Sequence, residues 1–156
     1  TDAAVLQDAS DMRTMFYSGS PRDPDKRFNV LYTTAKSMTP YLSVPENKRI
    51  WELLASKPGT GMLSPREKQW VKLFQAIGNR DAHGMGIMAV ELLKTNDYIH
   101  DKERIRYLVG AAMTGLIVDG KKSEALAIWN QYRMVIYGND PPHLIFHLLA
   151  ANCTER

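Results

Sequence analysis

His143 and His147 stand four residues apart in His-Leu-Ile-Phe-His, a spacing that sets two imidazoles on one helical face and can hold a metal when a third ligand arrives from elsewhere. No glutamate lies between them to serve as a general base, and the intervening residues are apolar. The plainer reading is one histidine near a helix cap and another at a packed or wet boundary. Gly115-Leu-Ile-Val-Asp-Gly120-Lys121-Lys122 nearly spells a phosphate-binding loop, whose glycines and lysine would wrap nucleotide phosphates. The hydroxyl that would hold magnesium comes one place late, at Ser123, and no strand precedes the stretch. A helix followed by a turn is the better description.

Asp81-Ala-His83-Gly84 and His100-Asp101 set histidine beside carboxylate, but adjacency in sequence is not the mutual hydrogen bonding that acid-base catalysis requires. Both read as turn residues. Cys153 has Glu155 and Arg156 nearby and no assigned base, so it reads as a spectator thiol. Asn152-Cys-Thr154 fits a glycosylation sequon at the end of an expected helix. Trp51, Trp70 and Trp129 each fall within an apolar helical pattern and are expected in the core. The chain therefore reads as non-catalytic, and no cofactor or metal is implied.

Composition sets the frame for these residues. The chain has 156 residues, 44% hydrophobic and 24% charged, which suits an ordinary globular protein folding as one unit. No apolar run approaches the roughly 20 residues that span a bilayer, so membrane insertion is not expected. A single cysteine allows no internal disulfide and no cysteine-type zinc set. Thr1 is followed by no charged-then-apolar leader, and the segment reads as excised from a longer polypeptide. The net charge of +3 is uneven: residues 21–72 carry ten bases against five acids, whereas 73–156 carry nine of each. Such a surplus does not call for nucleic acid, although it would favour an acidic partner.

The elements that must position these groups announce themselves by their starts. Asp23-Pro24 and Asp140-Pro141 put an acceptor before a proline at the first helical position, and Ser64-Pro65-Arg66-Glu67 adds the reciprocal glutamate of a capping box. Asp101-Lys102-Glu103 is a fourth start. The four are 41, 37 and 39 residues apart, within the range of helical repeats. Second-helix starts follow at Ser43-Val-Pro45-Glu46, Asp81-Ala82 and Gly120-Lys121-Lys122-Ser123, with stops at Pro58-Gly59, Thr95-Asn96 and Gly138-Asn139.

Periodicity agrees with these boundaries. Ile105, Leu108, Val109, Ala112, Met113, Leu116 and Ile117 follow the i, i+3, i+4, i+7 template, and Trp70, Leu73, Phe74 and Ile77 repeat it, as do Phe28, Leu31, Tyr32 and Ala35. Leu53, Leu54, Met88, Leu92, Ala125, Ile128, Trp129, Tyr132 and Ile136 supply the facing surfaces. No segment alternates with period two, so no sheet is expected. The expected fold is all-α, a stack of antiparallel helix pairs with about seven to eight helices. A leading helix and linker occupy 1–22, and a repeat domain at 23–156 holds pairs at 23–59, 64–96 and 101–138 and a terminal half-repeat at 140–154.

Residues 103–138 resemble a tetratricopeptide-type repeat, with Gly120 at the inter-helix turn, Ala125 as the small residue and Trp129 as the aromatic one turn later. The second helix can press on the first only where a small side chain sits. Gly84 and Met88 are the corresponding candidates in the preceding pair. The resemblance implies stacked helix pairs that serve as docking surfaces for proteins or peptides, while a related helical-repeat class reads single-stranded RNA.

On a stack of this kind the outer sides of the first helices form the contact surface. Asn29, Thr33 and Lys36, then Lys68, Lys72 and Gln75, then Lys102 and Arg106 are the candidate partner-binding residues. Their offsets from the helix starts differ between repeats, and a solvated face is the alternative. The expected function is a protein-interaction or scaffold module, part of a larger protein, that takes a protein or peptide partner of acidic character. The alternatives are an RNA-binding helical repeat and an auxiliary domain of an enzyme whose catalytic part lies elsewhere.

Overall fold

In the computed structural model, residues 45–46, 65–95 and 101–154 are described. Among them every regular element is a helix, and there is no strand. The helices are α1 (Pro65–Gly78), α2 (Ala82–Lys94), α3 (Lys102–Val118), α4 (Lys122–Tyr137) and α5 (Leu144–Thr154). Pro45 and Glu46 are also helical, at the expected second start. The expected leading helix and the rest of the first pair lie outside the described residues. The chain divides into two compact units, Thr1–Asp81 and Ala82–Arg156. No described helix is long and apolar enough to cross a membrane.

In the first unit, α1 begins at Pro65, whose missing N–H is one that a first turn leaves unpaired anyway. Trp70, Leu73 and Phe74 are fully buried, and the Trp70 and Phe74 rings lie 5.8 Å apart on the inward side. The helix closes on a two-bond turn: Asp81 N–H donates to Ala76 O at 2.9 Å and Arg80 N–H to Ile77 O at 3.1 Å. This Schellman arrangement requires a left-handed residue, and Arg80 takes that role at φ 57°. Sequence reading passed over this stop because an arginine stands where glycine is usual.

In the second unit, α2 packs on α3, α3 on α4, and α5 on both α4 and α3. Asp101 caps α3 by accepting from Arg104 N–H at 3.2 Å. The same carboxylate holds the buried Arg104 guanidinium at 3.1 Å. Ile105, Leu108, Val109, Ala112, Met113 and Leu116 are all buried, as their spacing requires. The turn from α3 into α4 repeats the bonds that end α1. Lys121 N–H donates to Leu116 O at 2.8 Å and Gly120 N–H to Ile117 O at 3.0 Å, with Gly120 at φ 76°. The two turns are offset by 40 residues.

Two glycines meet where α2 packs on α3. A Cβ placed on Gly115 would stand 2.5 Å from Gly86 Cα and 2.6 Å from Ala82 O, so only a residue without a side chain fits. Gly86 is therefore the small residue of α2 that admits α3, and Gly84 is half-buried. Gly86 lies in the helical line of Ala82, Ala89 and Leu93 that meets α3, whereas Gly84 is turned from it. Met88 is likewise half-buried, and Ala89, Leu92 and Leu93 supply the covered side of α2.

The last helix starts at Leu144, three residues after the expected Pro141. Pro142 explains the delay, because a residue preceding proline is driven from helical to extended backbone. Phe146 anchors α5. Its ring stacks on Trp129 at 5.0 Å with 6° between planes and meets Tyr137 edge-on at 5.9 Å.

Two outcomes follow for stability. Gly115→Ala forces α2 and α3 apart and should cost roughly 1–3 kcal/mol as overpacking. Gly120→Ala meets nothing within 4 Å and should cost about 1 kcal/mol through its left-handed backbone alone. Urea denaturation of both variants checks the order, and a smaller loss for Gly115→Ala would contradict the crossing. Burial pushes the Tyr107 phenol up to about 12 from its ordinary 10.0. The unfolded chain then releases that proton first, so stability should fall between pH 10 and 12. Absorbance of tyrosinate near the tyrosine band, followed alongside circular dichroism, would reveal whether Tyr107 ionises only as the fold is lost.

Candidate functional site

Three surfaces present side chains that could engage a partner. The first is the outer side of α1, where Lys68 and Lys72 are exposed and Gln75 is half-buried. The i, i+4, i+7 spacing sets the three in one line, away from Trp70, Leu73 and Phe74. Two ammonium groups one turn apart make a local positive stripe on an otherwise solvated face. The second surface is the start of α3, where Lys102 is exposed and Arg106 half-buried one turn on. The structure thus brings Lys68 with Lys72 and Gln75, and Lys102 with Arg106, within their respective units. Asn29, Thr33 and Lys36 lie outside the described residues.

The third surface was not read from the sequence. A groove of about 210 Å³ opens where α2 meets the α3–α4 turn, with Gly86, Val90 and Leu116 as its floor. Glu91 and Lys94 on one wall and Lys121 and Glu124 on the other alternate in sign, and Ile87, 46% exposed, stands at its edge. It lies beside the glycine crossing, with Gly86 itself among its lining residues. Sequence periodicity carries no signal for a concavity of this kind, because it depends on which two helices meet and where.

Two of the described histidines are paired with other side chains, and His100 lies outside the described residues. His83 Nδ1 lies 2.6 Å from Asp119 Oδ2, so its carboxylate partner comes from the end of α3 and not from adjacent Asp81. This pair ties the first turn of α2 to the last of α3 at the groove's rim. His143 Nδ1 sits 2.7 Å from the Tyr137 hydroxyl, and His147 is exposed. Among the described residues no three metal-binding side chains converge. The near phosphate-loop sequence is spent on structure: residues 115–118 are helical, Gly115 is filled against Gly86, and Gly120 makes the turn. Trp70 and Trp129 are buried. Trp51 lies outside the described residues.

Comparison of the chain with family models, curated proteins and solved structures finds no match in any of the three. The surfaces therefore have to be interpreted on their own chemistry.

Cys153 gives a reactivity check on that chemistry. Burial pushes its thiol up, and the charge of Lys122 offsets this in part. The thiolate fraction at neutral pH is correspondingly small. Iodoacetamide should modify the native chain more slowly than an unfolded sample at pH 7, with the gap closing as pH rises. Native labelling as fast as unfolded labelling would show an activated thiol instead.

Proposed function

We propose that this chain is a helical-repeat module that docks a protein or peptide segment, without catalysing a reaction. The observation that carries this reading is the recurrence of one helix-ending turn. Residues 75–81 and 115–121 make the same backbone bonds, Gln75 O with Asn79 N–H and Gly115 O with Asp119 N–H included, and place a left-handed residue at the same step. A turn of fixed geometry that recurs at the expected spacing is what a stack of similar helix pairs uses to repeat itself. The tetratricopeptide likeness of residues 103–138 supports the same reading. Ala125 is fully buried and Trp129 is 5% exposed, as a small residue and a ring inside a packed helix pair would be.

Docking is assigned to the outer sides of the first helices, at Lys68, Lys72 and Gln75 and at Lys102 and Arg106. Exposed ammonium groups in a turn-spaced line attract carboxylates, so the segment they suit is acidic. Such contacts steer encounter more than they hold a complex. An RNA-binding repeat would use the same cations on phosphates, and salt dependence separates the two only when the ligand is specified.

Two measurements test the proposal. Fluorescence anisotropy with a labelled polyglutamate peptide should report binding to the native chain at low salt, and the double variant Lys68→Glu/Lys72→Glu should weaken it at least tenfold. Equal binding by native and variant chains would remove this face from the proposal. A labelled single-stranded oligonucleotide, run in parallel, should be held no more tightly than the peptide. Stronger retention of the oligonucleotide, falling steeply with added salt, would move the assignment to RNA.

A further inference from the structure

We propose that the groove between α2 and the α3–α4 turn is a further docking surface, and that it takes an extended peptide segment with one aliphatic residue between a basic and an acidic one. The groove lies wholly within the second unit, with Val90 and Leu116 in its floor. Glu91 and Lys94 stand on one wall and Lys121 and Glu124 on the other, all four exposed. Each wall sets an acid and a base three residues apart, a spacing at which opposite charges on a helix can pair. Neither pair closes, and among the described residues none of the four side chains forms an ion pair or a hydrogen bond. The remaining carboxylate at the groove, Asp119, is by contrast held by His83.

Dimensions decide the form of the occupant. From Gly86 to Lys94, helix α2 advances about 12 Å along the groove. A volume of about 210 Å³ spread over that length leaves an opening on the order of 4 Å across. A helix, roughly 10–12 Å wide with its side chains, does not enter. An extended chain does, and at roughly 3.4 Å per residue about three or four residues fill the length.

Charge decides its sequence. Both walls carry both signs, so a segment with one base and one acid finds an opposite charge for each. An all-acidic or all-basic segment sets like charges against two of the four and is disfavoured for that reason. The aliphatic residue between them covers the apolar floor and releases its water. Exposed ion pairs are individually weak, so the groove selects by sign more than it holds. This surface goes beyond the cationic stripe on α1, which suits acidic segments alone.

Proton–nitrogen correlation NMR of the full 156-residue chain tests the assignment. Three acetylated and amidated peptides, Ser-Lys-Leu-Glu-Ser, Ser-Glu-Leu-Glu-Ser and Ser-Lys-Leu-Lys-Ser, are each titrated to millimolar levels. The first should shift the amides of Gly86, Val90, Glu91 and Lys121 saturably, and bind there about fivefold more tightly than either of the others. In Lys94→Glu/Lys121→Glu, whose groove walls carry acids alone, the preference should pass to Ser-Lys-Leu-Lys-Ser, a reversal that loss of folding cannot imitate. The absence of saturable shifts at these amides overturns the proposal. So does equal binding of the three peptides, or an unchanged preference in the variant. Binding at Lys68 and Lys72 is read from separate amides, so failure of one surface is distinguishable from failure of the other.

Discussion

Two helices can approach closely only where neither presents a side chain, and in the second unit that condition is met at Gly86 and Gly115. The backbone of one glycine occupies the space where the other would carry a methyl group. From this contact the local arrangement follows. The start of α2 is set beside the end of α3, which brings His83 to Asp119 across 36 residues of sequence. Farther along α2, the Tyr132 hydroxyl reaches the Leu93 carbonyl at 3.3 Å from α4. The remaining side chains of α3 are then covered on several sides, and Leu108, Val109, Ala112 and Met113 are fully buried.

A second constraint holds the end of the chain. Pro141 and Pro142 prevent α4 from running on into α5, and Gly138, at φ 55°, turns the backbone out of α4. Aromatic packing then decides where α5 comes to rest. Trp129, Tyr137 and Phe146 meet as a stacked pair with an edge-on third ring, the preferred geometry for rings whose faces and edges carry opposite partial charge. The Tyr137 hydroxyl, which burial would leave unpaired, is bonded to His143. A Cβ at Gly110 would lie 3.7 Å from the Phe146 ring, an ordinary contact, so the seating of Phe146 does not depend on that glycine.

These constraints sort the surface into regions of different chemistry. The outer side of α1 is cationic, the groove beside α2 is mixed in sign, and α5 shows apolar side chains without charge. A charged stripe and an apolar stripe act differently on a partner: the former through long-range attraction that salt screens, the latter through water released at contact.

Caps, stops and apolar spacing are local, so the sequence by itself determined the helical class and most helix ends. Asp101 starts a helix by a bond within a single turn, and Pro65 by lacking an N–H that a first turn leaves unpaired. Ile105 through Leu116 had to be buried because one face of a helix collects them. The stop at Arg80 was hidden, since its left-handed backbone belongs to a residue type that seldom adopts it. Tertiary structure alone decided that Gly86 would be the partner of Gly115, that His83 would find Asp119, and that Phe146 would lie flat on Trp129. Each depends on the distance between chain segments 17 or more residues apart. That distance is set by the summed packing of whole helix faces, a quantity no short stretch of residues encodes.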